Sequence, residues 1–206
     1  MQPDLPNPPS KGELIKESRW MRTYRCGEGT LLESKFAWDG LQVSREEMER
    51  IWHDLSREEK WEFATAYCCK PTVTTEDEKV LDFLMEAGDE GVCGMIASLL
   101  VHHSNRERVM SFLLRRATSP GPFAGNYYQA LEIAGDRRAI SVLQRARGIH
   151  LHNIDAGATN EICDYLDCCR ALWKLEGSDA YAAEIRKAQR SDDPFVTAHA
   201  KLLLER

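Results

Sequence analysis

The sequence lacks a long apolar run and a signal-type leader, and each absence excludes a class of protein. Its most apolar stretch, residues 95–101, is soon followed by His102, His103 and Arg106, far short of the roughly 18 apolar residues of a membrane-spanning helix. The first twelve residues have neither a basic start nor an apolar core, as a secretory signal would. We therefore expect a cytoplasmic protein that does not enter the membrane.

A paired-cysteine framework is missing as well. The seven cysteines are an odd number, and two pairs of them are neighbours in the sequence, which is poor geometry for disulfides in a small secreted domain. We expect most of them to be reduced and buried. They are Cys26, Cys68, Cys69, Cys93, Cys163, Cys168 and Cys169.

Excess positive charge is also lacking. The formal net charge is -6, but residues 1–90 carry 12 Lys or Arg and 20 Asp or Glu, whereas residues 91–206 carry 15 and 13. The overall sign disfavours bulk binding to nucleic acid or to an anionic membrane. The basic excess of the second half leaves room for a local acidic partner.

The chain has 206 residues and 43% hydrophobic content, enough for a substantial core. Prolines at 3, 6, 8 and 9 predict an extended or disordered leader over residues 1–12. Residues 13–42 mix aromatic residues with turn chemistry, and "KFAWDGLQV" is typical either of a small hairpin or of an extended arm on the helices. We therefore predict two parts: an irregular N-terminal arm, 1–43, and a helical domain, 44–206.

After Val43 the apolar spacing is helical throughout. Ser44 with Glu47, Ser56 with Glu59, and Thr75 with Glu78 fit the capping-box pattern of helix starts. Short corners separate helices of ten to sixteen residues, and longer ones are predicted at 118–124 and 148–159. The expected fold class is all-α.

Three of the corners share a Gly-Asp dipeptide or a near equivalent, in "EAGDEG", "IAGDRRAI" and "LEGSDAYA". In the last two, apolar residues follow the glycine at the same offsets: Ala139 and Leu143 correspond to Tyr181 and Ile185. A shared register at a fixed corner is typical of stacked repeats. Gly135 is predicted to end one helix, and Asp136 to cap the next.

The segments "ALEIAGDRRAISVLQRA" and "ALWKLEGSDAYAAEIRKAQRSDDPFVTAHAKLLLE" resemble HEAT-like repeats of the type also found in phycobilisome lyases. The resemblance covers about residues 126–206, and Thr197 departs from it where the family usually has Arg. It implies an α-solenoid of stacked antiparallel helix pairs. The matching positions are Ala130, Leu131, Gly135, Asp136, Arg138, Ala139, Asp193, Pro194, Val196 and Ala200.

The second helices of the predicted pairs are rich in arginine. In HEAT-like solenoids such helices usually line the concave side, so the arginines could form a groove for an acidic protein or a phosphate backbone. Several fall in a predicted last helical turn, where cations also stabilise the helix dipole. The candidate partner-binding residues are Arg108, Arg115, Arg116, Arg137, Arg138 and Arg145.

No residue pattern indicates catalysis or a cofactor. His150, His152, Glu161, Cys163 and Cys168 are of metal-binding types, but their spacing matches no zinc template. No nucleophile elbow or glycine-rich phosphate loop is present. We expect no catalytic residue, cofactor or metal.

The favoured function is that of a non-enzymatic adaptor, inhibitor or immunity-type protein that binds another protein, with an acidic surface, through one face of the solenoid. One alternative is a nucleic-acid-binding protein that resembles alkyl-base DNA glycosylases; the shortage of aromatic residues on these helices for base stacking disfavours it. The other is a bilin-lyase-like protein, which only the resemblance suggests.

Overall fold

A computed structural model shows how the chain folds. It describes residues 12–17, 21–26, 31–36, 43–68, 70, 72–118 and 121–205, with the backbone alone for the first three ranges. By spatial contacts the chain divides into two compact units, 1–99 and 100–206. The domain boundary that the sequence predicts at residue 43 stays a prediction.

A three-stranded antiparallel sheet lies in the first unit. It consists of β1 (Gly12–Glu17), β2 (Met21–Cys26) and β3 (Leu31–Phe36), in the order β1-β2-β3. Gly12 pairs with Cys26, and Met21 pairs with Phe36. The prediction of an irregular arm is therefore wrong for these segments.

The sequence did not predict the sheet, because each strand has six residues and only two or three of them are apolar. Such short strands leave a weak period-2 signal, and their stability depends on pairing with the neighbouring strands of the sheet. Most of the proline-rich leader and most of the proposed hairpin at 35–43 lie outside the described residues.

The described residues of the first unit also form α1 (Arg45–Ile51), α2 (Arg57–Cys68), α3 (Thr75–Ala87) and all but the last residue of α4 (Glu90–Leu100). Ser44 caps α1 through Glu47 N–H (3.2 Å), and Ser56 and Glu59 exchange both bonds of a capping box, at 2.8 and 3.2 Å. The all-α prediction is confirmed for the described residues after 43.

The third capping box lies one residue earlier than predicted. Thr74 and Asp77, rather than Thr75 and Glu78, exchange its bonds. Asp77 is buried and also accepts hydrogen bonds from Tyr67 and Lys70, which tie the end of α2 to the start of α3. A buried carboxylate must be paired, so these donors select Asp77 as the cap partner.

The second unit has six α-helices and one turn of 3-10 helix, Thr159–Glu161, among its described residues. The helix α8 contacts α6, α7, α9 and α10, while α5 contacts α6 and α7, and α9 contacts α10. The buried core around α8 includes Leu166, Cys169 and Ile185. The α-helices are α5 (Arg106–Ala117), α6 (Ala124–Ala134), α7 (Ala139–Asp155), α8 (Ile162–Glu176), α9 (Asp179–Ala188) and α10 (Pro194–Glu205).

Gly135 ends α6, as predicted, with a left-handed φ of 68°. Such a φ strains any residue with a Cβ, so glycine suits this helix end. Asp136 does not cap α7 directly. Its carboxylate accepts from the backbone N–H of Arg138 at 2.9 Å, and α7 begins one residue later.

The loop predicted at 148–159 is mostly helix, since α7 continues through Gly148 to Asp155. His150 is buried and Ile154 partly so, and their four-residue spacing keeps them on one helical face. That burial offsets the cost of about 1 kcal/mol for a glycine inside a helix. None of the helices described is long and apolar enough to cross a membrane.

Candidate partner-binding site

The six predicted arginines lie in three places of the second unit. Arg108, Arg115 and Arg116 are on α5, Arg137 and Arg138 precede α7, and Arg145 is in the middle of α7. Because α7 runs to residue 155, Arg145 is not in a last helical turn. The helix dipole therefore does not account for Arg145, although it accounts for Arg115 and Arg116.

Arg138 connects the Gly-Asp corner to α5. Its guanidinium donates to both oxygens of Glu107, at 2.9 and 3.0 Å, and to Asp136 at 2.6 Å. These hydrogen bonds lower the pKa of both carboxyl groups and raise the pKa of Arg138. The planar guanidinium fits such a two-pronged arrangement, whereas lysine would offer only a point charge.

Arg115 and Arg116 stand apart from Arg138. Their guanidinium groups lie 6.0 and 5.4 Å from the centroid of the Phe112 ring, near the end of α5. Glu107 is eight residues earlier than Arg115, which is about 12 Å along a helix. The predicted arginines do not all converge on one spot.

A pocket of about 430 Å³ opens beside Arg138. Leu100, Val109 and Met110 are buried and supply apolar wall, while Ile133 is 59% exposed at the mouth. Volumes of this order are typical of ligand sites. The remaining lining residues are Val101, His102, Arg106, Glu107, Ala134, Asp136 and Arg138.

The pocket lining combines Arg106 and Arg138 with Glu107 and Asp136. Arg106 and Arg108 flank Glu107 at the start of α5, and Arg137 and Arg138 follow Asp136. Within the described residues, the exposed Arg106 and Arg137 form no ion pair. An anionic group could bind here without displacing an existing partner of these two.

Sequence reasoning missed a row of paired polar groups that links α6, α8 and α10. Arg170 is buried and donates to Glu132 of α6, at 3.0 and 3.1 Å, and to the Leu203 carbonyl of α10. Asp167 is also buried and accepts from Gln129 of α6 at 3.2 Å. The sequence does carry one signal for this row: Asp167 and Arg170 are three residues apart on α8, which places two charges on one face of a largely apolar helix.

Of the residues of metal-binding type in 148–169, His150 and Glu161 are engaged with each other and with neighbouring side chains. His150 is 1% exposed; its Nε2 lies 2.8 Å from Tyr128 Oη, and its Nδ1 lies 2.8 Å from Glu161 Oε2. Burial raises the pKa of Glu161, but hydrogen bonds from Asn153 and His150 outweigh it and lower the pKa. The described residues include no group of three or more His, Cys, Asp or Glu arranged to hold a metal ion.

Cys168, in the same region, is also bonded within the protein. Cys168 is buried and its thiol donates to the Leu143 carbonyl at 3.1 Å. Burial raises the pKa of the Cys168 thiol, which disfavours the reactive thiolate. Cys168 thus connects α8 to α7 as a small core residue.

Comparison with known proteins gives no significant match: no family model fits the chain, and neither curated proteins nor solved structures show a related sequence or fold.

Proposed function

We propose that this chain is a non-enzymatic, HEAT-like interaction module that binds another protein through the pocket and the arginines around its mouth. The contact pattern of the second unit supports the repeat architecture. Four successive pairs of described helices contact each other, namely α5 with α6, α7 with α8, α8 with α9, and α9 with α10. Helices two apart also do so in α5 with α7, α6 with α8, and α8 with α10. Stacked helix pairs produce such a pattern, because each pair covers the apolar face of the next.

The pocket carries the proposal, because it combines apolar wall with exposed arginine. Ile133 is a large apolar side chain left in contact with water, and Arg106 and Arg137 are exposed near it without a carboxylate partner among the described residues. Protein interfaces are enriched in arginine around well-packed apolar centres. A partner with an acidic surface could pair with these arginines while it covers the apolar side chain of Ile133.

The groups that could perform acid-base chemistry support a structural role instead. Tyr128, His150 and Asp167 are each at most 5% exposed, and their polar atoms face one another or neighbouring helices. A substrate would have to break these contacts to reach them. Fully paired buried networks of this kind typically hold helices in register.

Pull-down from the native host, followed by titration of the purified partner, tests the proposal. Charge reversal of Arg106 and Arg137 should weaken binding at least tenfold, and reversal of Arg115 and Arg116 tests the far end of α5 separately. Reversal of Arg186 on α9 and of Arg190, two residues after the end of α9, is the matched control. Unchanged affinity after reversal at positions 106, 137, 115 and 116 would place the binding face elsewhere.

Binding to nucleic acid is a separate outcome of the same experiment. Exposed arginines without carboxylate partners are also what a phosphate backbone requires. If DNA bound at low salt, with an affinity that falls linearly on a log-log salt plot, the nucleic-acid alternative would replace the protein partner. We expect no such binding.

A further inference from the structure

The pocket in the second unit has two chemically different sides. Leu100, Val109 and Met110 form a buried apolar wall that Ile133 extends to the mouth. The charged side comes from the first turn of α5 and from the corner that follows Gly135. A ligand that matches both sides needs an apolar group and a charged group close together.

The two carboxylates of the lining already have a partner. Arg138 satisfies both Glu107 and Asp136 and holds them together across the corner. Arg106 forms no ion pair within the described residues and is exposed at the mouth. The charge that remains available to a ligand on this side is therefore positive.

The positions of Arg106 and Arg108 are unfavourable for the helix itself. Both lie in the first turn of α5, where the helix dipole is positive and acidic residues are preferred. Helix stability alone thus gives no reason for a cation at position 106.

Resting on the proposed function, we propose that the pocket recognises an acidic segment of the partner protein, in which a leucine-like side chain stands next to a carboxylate. The apolar side chain enters the pocket against Val109, Met110 and Ile133, and the carboxylate pairs with Arg106. A volume of about 430 Å³ accommodates one large side chain and the neighbouring acid. The guanidinium of Arg106, which has no carboxylate partner among the described residues, selects the sign of the second group.

Three capped dipeptide amides test this chemistry by ¹⁵N-HSQC titration of the full chain: N-acetyl-Leu-Glu-amide, N-acetyl-Leu-Gln-amide and N-acetyl-Ser-Glu-amide. We expect saturable binding of the first, with shifts centred on the amides of 100–110 and 133–138. The other two should bind about tenfold more weakly, a difference of about 1.4 kcal/mol. Equal binding of all three, or shifts centred elsewhere, would overturn the inference.

Matched variants assign the contacts. Arg106→Gln should weaken Leu-Glu binding about tenfold and remove the preference over Leu-Gln, while leaving thermal stability unchanged or slightly raised because a cation leaves a helix N-terminus. Arg186→Gln, which changes an exposed arginine of α9 outside the pocket, is the control and should bind as the wild type does. Retained preference in Arg106→Gln would refute the role of Arg106.

A free acid is the other source of the same chemistry. Titration with 4-methylpentanoate separates it from a peptide segment, and tighter binding of this acid than of the capped Leu-Glu would overturn the segment as occupant. Failure of this inference can be distinguished from failure of the proposed function. If no dipeptide binds but partner capture still depends on Arg106 and Arg137, the inference fails and the proposed function stands.

Discussion

At the scale of single residues, Gly125 shows how closely α6 and α8 approach. A Cβ at this position would lie 2.5 Å from Asp167 Oδ2 and 2.8 Å from Asp164 Oδ1. The Gly125 backbone N–H donates to Asp164 at 3.0 Å. Only a residue without a side chain lets this backbone reach the two carboxylates.

Gly125→Ala should therefore destabilise the protein by about 1–3 kcal/mol, since the new methyl group would force the carboxylates to move. Gly148→Ala is the matched control: it is another helical glycine, with nothing within 4 Å of the added Cβ, and it should stabilise by about 0.5–1 kcal/mol. Urea unfolding followed by circular dichroism measures both. Equal effects of the two substitutions would contradict the close approach at Gly125.

His199 provides a pH-dependent contact between α10 and α8. Its Nε2 lies 3.3 Å from Asp167 Oδ1, within ion-pair distance. The interaction with the Asp167 carboxylate raises the pKa of His199 against the effect of burial, and Asp164 adds a further negative charge nearby. A histidine whose pKa is raised by folding stabilises the folded state when it is protonated. This stabilisation is complete below the unfolded-state pKa of about 6.5, and it disappears as the pH rises through the folded-state pKa.

We expect His199→Gln to lose more stability relative to the wild type at pH 5.5 than at pH 8.5. Urea midpoints of both proteins at the two pH values give the comparison. A difference that stays constant across this range would show that the ion pair contributes nothing.

At the scale of elements, α8 organises the second unit through both its apolar and its polar faces. Its apolar residues form the core with α9 and α10, while Arg170 bonds to α6 and α10 at once. A buried cation with two kinds of acceptor fixes the relative positions of three helices. Such a contact depends on every partner being present.

Glu132→Ala removes one of these partners and leaves the Arg170 charge buried. We expect a loss of about 3–5 kcal/mol in the free energy of unfolding. Glu176→Ala is the control, because Glu176 is an exposed carboxylate whose bonds to Gln144 are long, at 3.3 and 3.5 Å. A similar small loss in both variants would show that the buried pair is dispensable.

At the scale of the whole molecule, charge is unevenly divided along the chain. The first 90 residues are strongly acidic, whereas the remainder is slightly basic, and the described arginines without carboxylate partners include Arg106, Arg137 and Arg145 of the second unit. Long-range attraction between opposite charges speeds association and is screened by salt.

Association with the captured partner should therefore slow by about tenfold or more between 50 and 500 mM NaCl, with little change in the dissociation rate. Surface plasmon resonance separates the two rates. An association rate that does not depend on salt would argue against an acidic partner.

The sequence by itself determined the helical body, its start near residue 44, the corner at Gly135 and the presence of arginines around it. These features depend on local physics: apolar spacing, capping residues and the φ that glycine permits. The register of Thr74 with Asp77 and the continuation of α7 through Gly148 were mispredicted, because buried contacts of Asp77 and His150 outweighed local preference.

Only the tertiary structure decided which charges meet. Arg138 is a surface-type residue in the sequence, yet it bonds to Glu107, 31 positions earlier, and Arg115 and Arg116 lie at the far end of the same helix. The sequence of α8 shows Asp167 and Arg170 only as polar residues on one helix face. Their partners lie on α6 and α10, which the sequence of α8 does not reveal. Ion pairs and pockets form between segments distant in the chain, and no periodicity within one segment carries that information.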